Sequence, residues 1–170
     1  MKSASCALVV FVGLVVACQT PRSSDHGYAL QARITDNADL LSDAQEDSLM
    51  TLINSLETEV GSQLAVLTVP SLNGEKIEDL SIRMAEASGL GRATHDDGIL
   101  ITIAREERKV RIEVGIGLER VLTDEIAAQI ISDDIAPEFR SAKYGLGLYR
   151  AIERMVGLIK TEKDMIGKKP

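Results

Sequence analysis

The sequence predicts an α/β domain in which helices cover both faces of a mixed sheet, and three observations carry that prediction. Gln63–Val69 (QLAVLTV) is apolar at both alternating sets of positions, the pattern of a central strand covered on two sides. Ile77, Leu80, Met84 and Ala85 then repeat at helical spacing before a second apolar strand, Gly98–Ala104 (GILITIA). Strand, helix and strand in succession imply a right-handed crossover and a parallel pair. Finally, residues 109–115 (KVRIEVG) follow Arg105-Glu106-Glu107-Arg108, a connector of hairpin length, and add an antiparallel strand. Composition agrees: at 45% hydrophobic and 3% aromatic, with no Trp, the core must be built from aliphatic side chains. A chain of 170 residues suits one such domain.

The chain opens with Lys2 and a nearly continuous apolar run over residues 4–17, broken by Ser5, Cys6 and Gly13. This is the layout of a secretory signal, and it is shorter than the roughly 20 residues a membrane span needs. The run ends in Val15-Val16-Ala17-Cys18, which resembles the bacterial lipobox, whose Cys is diacylated and becomes the first mature residue. Two readings stay open: lipidation of Cys18, which the layout favours, or cleavage at a small-residue site that leaves Cys18 as a spare thiol. Residues 18–32 lack periodicity and read as a tether. The domain is expected over 33–162, with 163–170 a frayed end.

Within the domain, a short extended stretch at 33–36 leads through a turn at Asn37 to Asp39. Ser42 and Gln45 then have capping-box spacing at the start of a helix whose stripe is Leu49, Leu52, Ile53, Leu56 and Val60, ended by Gly61. If Ala104 pairs with Lys109, one face of the hairpin carries Ile99, Ile101, Ile103, Val110, Ile112 and Val114 and belongs to the core. The other face carries Leu100, Thr102, Lys109, Arg111 and Glu113, so the second strand is read as an edge. Thr123 caps a further helix through Ile126, Ile130 and Ile131, which Pro137 is expected to break. A last helix from about Lys143 buries Leu148, Ile152, Met155, Val156 and Ile159.

Charge and cysteine content narrow the function. Cutting before Cys18 removes Lys2 and Cys6, leaving 18 basic against 26 acidic residues and no thiol in the folded body. A body this acidic is unsuited to nucleic acid or to anionic lipid through net charge, and better matched to divalent cations or basic partners. Familiar catalytic motifs are absent from the sequence: there is no G-x-x-x-x-G-K-[ST], H-E-x-x-H or G-x-S-x-G. His26 and His95 alone assemble neither a zinc site nor a triad.

Carboxylates remain. The register that pairs Ala104 with Lys109 also places Asp96 and Asp97 opposite Gly117 and Ile116, with Asp124 one short loop away at a helix start. Glycines at 98, 115 and 117 would let the backbone approach a ligand closely. Clustered carboxylates beside backbone carbonyls are the ligand set that Ca²⁺ or Mg²⁺ prefers. The alternative is that Asp96-Asp97-Gly98 is a turn before a strand and Asp124 a helix cap.

Taken together, Ile34-Thr35-Asp36, Leu40-Leu41-Ser42, QLAVLTV, Asp96-Asp97-Gly98-Ile99-Leu100, residues 108–115, Gly117-Leu118-Glu119 and Leu122-Thr123-Asp124 resemble the TPM domain family over about residues 33–160. The resemblance implies a three-layer α/β/α sandwich with a mixed central sheet. It also implies acidic site residues at Asp36, Asp96, Asp97 and Asp124, with Glu113 and Glu119 as further candidates. Some members are described as acid phosphatases and some bind calcium; others serve membrane complexes. Asp97 stands where Asn is common, Ser88-Gly89 where Trp-Gly is common, and Ile116 where Tyr is frequent. The expectation is therefore a lipid-anchored module that binds a divalent cation and supports an envelope membrane-protein complex. The alternative is a phosphomonoesterase whose cation is held by Asp96, Asp97 and Asp124, with Arg92 and Arg120 the nearest cations for phosphate.

Overall fold

The computed structural model describes residues 27–167, with side chains through Met165. The apolar leader and Cys18 lie outside the described residues. A four-stranded sheet in the order β1-β2-β3-β4 organises the rest, from β1 (Ile34–Asp36), β2 (Gln63–Val69), β3 (Gly98–Ala104) and β4 (Lys109–Val114). β1 and β2 pair in parallel, as do β2 and β3; β4 runs antiparallel along β3.

Ala104 lies opposite Lys109 and Ile99 opposite Val114, the register expected from the connector length. Its consequence is a sheet apolar on both faces. Val66, Ile99, Ile101, Ile103 and Ile112 point to one core, covered by α1 (Asp43–Glu59), α3 (Asp124–Ile130) and α5 (Tyr144–Gly167). Ala65, Leu67, Val69, Leu100 and Ala104 point to the other, covered by Ile77, Leu80 and Met84 of α2 (Ile77–Ser88). The architecture is thus helix, mixed sheet, helix. On the α2 side the buried hydroxyls of Ser81 and Thr102 satisfy one another at 2.9 Å, which avoids the cost of an unpaired polar group in an apolar layer.

Local signals explain the element ends. The Ser42 amide donates to Oε1 of Gln45 at 2.9 Å in the capping box that starts α1. Gly89, at φ +58°, closes α2 in the left-handed conformation that a glycine adopts without penalty. All five residues of the α5 stripe are buried. No helix among the described residues is long and apolar enough to cross a membrane.

Three local expectations change. Pro137 does not end the helix: α3 passes through a π turn, Ile131–Ile135, into α4 (Ala136–Arg140). The wide turn resets the hydrogen-bond ladder so that Pro137 falls in the first turn of α4, where its missing N–H is not needed. The C-terminal helix continues through Gly167, beyond the point at which fraying was expected. At the other end, Tyr28 and Leu30 pack against the α2-side core, and the Tyr28 hydroxyl donates to the Ser71 carbonyl at 3.1 Å, so the last residues before β1 are docked.

Because Ile101 is fully buried in the middle of β3, Ile101→Ala should lower unfolding free energy by about 2–5 kcal/mol. Urea denaturation monitored by circular dichroism measures this, and a loss below about 1 kcal/mol would contradict the packing described.

Candidate functional site

The parallel strands give the sheet two distinct ends. Asp97 and Gly98 lie at the N-terminal end of β3, whereas Asp36 is level with Thr68, near the C-terminal end of β2. Six residue steps run from one end of β3 to the other, roughly 20 Å. Asp36 therefore does not join the other carboxylates. Its Oδ2 accepts the amides of Leu40 and Leu41, each at 2.8 Å, and its Oδ1 accepts the Thr68 hydroxyl. Thr68 in turn accepts the Ala38 amide at 2.9 Å. Asp36 is the knot of the β1–α1 turn.

Asp97 is only 3% exposed, and its acceptors are in use. Oδ1 accepts the Arg92 amide at 2.9 Å; Oδ2 accepts Nε and Nη2 of Arg92 and, at 3.3 Å, the Ser62 hydroxyl. Burial opposes its ionisation, but the Arg92 donors and Ser62 prevail and hold the carboxyl below the ordinary aspartate range. Arg92 is thereby committed to Asp97. Arg120, the other cation considered for a phosphate, is largely exposed and lies 3.6 Å from Glu162.

Asp96 is exposed at φ +48°. Its carbonyl accepts the Gly117 amide at 2.9 Å and its carboxylate the Ile116 amide at 3.3 Å, so 95–96 and 115–117 are neighbours as the register predicts. The glycines serve this internal contact rather than a ligand: a Cβ on Gly117 would stand 1.9 Å from the His95 carbonyl oxygen, and one on Gly115 2.2 Å from that of Asp96. Asp124 is exposed in the first turn of α3 and does not line the adjoining cleft.

That cleft, of about 380 Å³, opens between α2 and the 115–119 loop. It is lined by Glu86, Asp96, Glu113 and Glu119, with Ile82 and Ile116 at 43% and 72% exposure and no Lys or Arg. Glu113 also receives Nε of Arg111 at 3.0 Å. Glu86 and Ile82 were not legible as site residues, although Ile82 off the apolar stripe of α2 is the signal that marks them. As a cage for Ca²⁺ or Mg²⁺ the residues do not fit. Asp97 and Asp36 are engaged by protein donors, and among the described residues no three of His, Cys, Asp and Glu converge closely enough to hold a metal ion.

The family model of the TPM domain matches residues 34–158, most of the chain. The chain belongs to the TPM domain family. Among solved structures, this TPM domain is similar to the N-terminal domain of a protein from P. gingivalis, with 31% identity, a TM-score of 0.72, and coverage of 78% of this chain and 84% of that one. It shares its fold with the BA42 protein of Bizionia argentinensis at 17% identity and TM-score 0.63, covering 73% of this chain and 84% of that one. The N-terminal domain of the cg2496 protein of Corynebacterium glutamicum stands at 15% identity and TM-score 0.60, covering 82% and 83%. A search of curated proteins finds no significant match.

Within this TPM domain, the Asp97–Arg92 pair has a definite stability signature. Removing one partner of a buried pair strands the other, so Arg92→Met should cost about 2–4 kcal/mol at neutral pH, less than a fully buried pair because Arg92 is partly exposed. Since the folded pKa of Asp97 is depressed, its contribution is fully present well above the unfolded value of about 3.9 and is lost as pH falls through the lower folded value. The stability difference between wild type and Arg92→Met, followed by denaturant titration across pH, should therefore shrink in acid; a constant difference would contradict the assignment.

Proposed function

We propose that this TPM domain is a membrane-tethered accessory module whose acidic cleft holds a basic, partly apolar segment of an envelope membrane protein or complex. The observation that carries this reading is the combination in one cleft of four carboxylates, two exposed isoleucines and no cation in the lining. A Lys or Arg side chain suits such a surface, since its charged head meets carboxylates while its methylene stem lies on apolar atoms. The tether is supported by the apolar leader ending at Cys18. Ca²⁺ or Mg²⁺ acts here as a competing counter-ion for the cleft, not as a resident cofactor. The phosphomonoesterase alternative draws less from the geometry, because Asp96, Asp97 and Asp124 do not converge and Arg92 is spent on Asp97.

A synthetic peptide alternating Lys and Leu should bind saturably, shifting the amide resonances of Ile82 and of 115–119. Binding should weaken with added salt or Ca²⁺ and drop at least fivefold in Glu86→Gln/Glu119→Gln. No shift at these residues would sink the proposal. So would turnover of p-nitrophenyl phosphate that requires a divalent cation and disappears in Asp96→Asn.

A further inference from the structure

At the opposite end of the sheet, a larger cleft of about 700 Å³ opens between the β3–β4 turn and the corner joining α4 to α5. Arg105, Arg108, Lys109 and Arg140 line it, no carboxylate does, and Phe139 and Tyr144 form an aromatic wall, edge to face at 4.9 Å. Ten arginines fall among the described residues, and seven of them are paired with a carboxylate. The three that are not, Arg105, Arg108 and Arg140, all line this cleft. The hydrogen bonds of nearby acids go elsewhere: Glu107 accepts the Ser71 hydroxyl and Leu72 amide, its charge being felt by Lys109, and Glu138 holds Arg150. Glu106 is exposed in the turn and lines no part of it. Arg105 donates Nη1 to the Ala38 carbonyl at 2.7 Å, which still leaves its charge without a carboxylate. In a chain of formal charge −7, such a concentration of cations in a concave, partly apolar site points to an anion with an apolar body.

We propose that this cleft binds the phosphate headgroup of an anionic phospholipid. Tyr28 is held on Ser71 just beyond β2, and the amides of Arg105 and Glu106 bond the carbonyls of Val69 and Pro70 at 3.0 Å. The described chain thus begins at the same end of the sheet as the cationic cleft. Only nine residue steps separate Gly27 from Cys18, a reach of about 30 Å at most. A lipid on Cys18 holds this end within that reach of the bilayer, and headgroup binding in the cleft would turn the acidic cleft away from it. The choice of a lipid as the source of the phosphate rests on the tether reading; the charge and shape of the cleft do not.

The test titrates the full chain, held in a neutral detergent, with dihexanoyl phosphatidylglycerol in a calorimeter, beside dihexanoyl phosphatidylcholine and inorganic phosphate. Saturable binding of the phosphatidylglycerol is expected, weakened by salt and at least tenfold weaker in Arg108→Asn/Arg140→Gln. Asn suits the left-handed backbone at Arg108, φ +52°. Arg140→Gln alone, outside that turn, should weaken binding several-fold with an unchanged melting temperature. Equal binding of phosphatidylcholine, or no effect of either variant, overturns the proposal. Inorganic phosphate binding as tightly as the lipid overturns the lipid assignment. The lipid analogue is free in solution, so the same titration on Cys18→Ser should give the same result; failure of the anchor and failure of the cleft are read separately.

Discussion

Burial of β3 on both faces is the constraint from which the rest of the structure follows. Ile99, Ile101 and Ile103 enter one core, while Leu100 and Ala104 enter the other, and each of these five side chains is at most 2% exposed. A slip of one residue would exchange the two sets and bring the hydroxyl of Thr102 into the all-aliphatic layer. With β3 held in register, both of its ends acquire fixed neighbours. Its N-terminal end brings 95–98 against 115–119, and its C-terminal end brings Arg105–Lys109 against α4 and the start of α5.

The carboxylates divide according to what that frame does with them. Asp36 and Asp97 are consumed by it: each accepts several protein hydrogen bonds, and each locks a connection between elements. Asp96, Glu86, Glu113 and Glu119 surround a cleft in which apolar lips accompany the charge. Cations divide in the same way. Among the described residues most arginines neutralise a neighbouring carboxylate, and the three without one collect at the other end of the sheet. The two clefts at opposite ends of the strands are opposite in charge, one lined by carboxylates and the other by cations, a feature that net charge conceals.

Much of the fold was legible because it rests on local rules. Apolar periodicity marked β2, β3, α1 and α5, and connector length set the β3–β4 register down to the pairing of Ala104 with Lys109. Pro137 misled because a π turn upstream is invisible to a pattern of apolar residues, yet it moves the proline into a tolerated first-turn position. The site was less legible for a different reason. Asp96 and Asp97 are adjacent in sequence but opposite in fate, since one faces solvent at a positive φ and the other meets Arg92 inside the protein. No spacing rule distinguishes them. Asp36 shares their residue type and the family resemblance, but the parallel direction of β1 carries it to the far end. Arg140 reaches the β3–β4 turn only through tertiary packing, so the cationic cleft has no contiguous sequence signal.

The two clefts acquire a joint meaning if the cationic end rests on the bilayer and the acidic end faces a partner. Orientation on the membrane is therefore the decisive property. The full chain, anchored in bilayers containing phosphatidylglycerol and a small fraction of gadolinium-chelating lipid, can be read by paramagnetic broadening of backbone amides. Strong broadening is expected at 105–109 and 140–144 and little at 96–98 and 115–119. Uniform broadening, or the reverse pattern, would contradict this orientation.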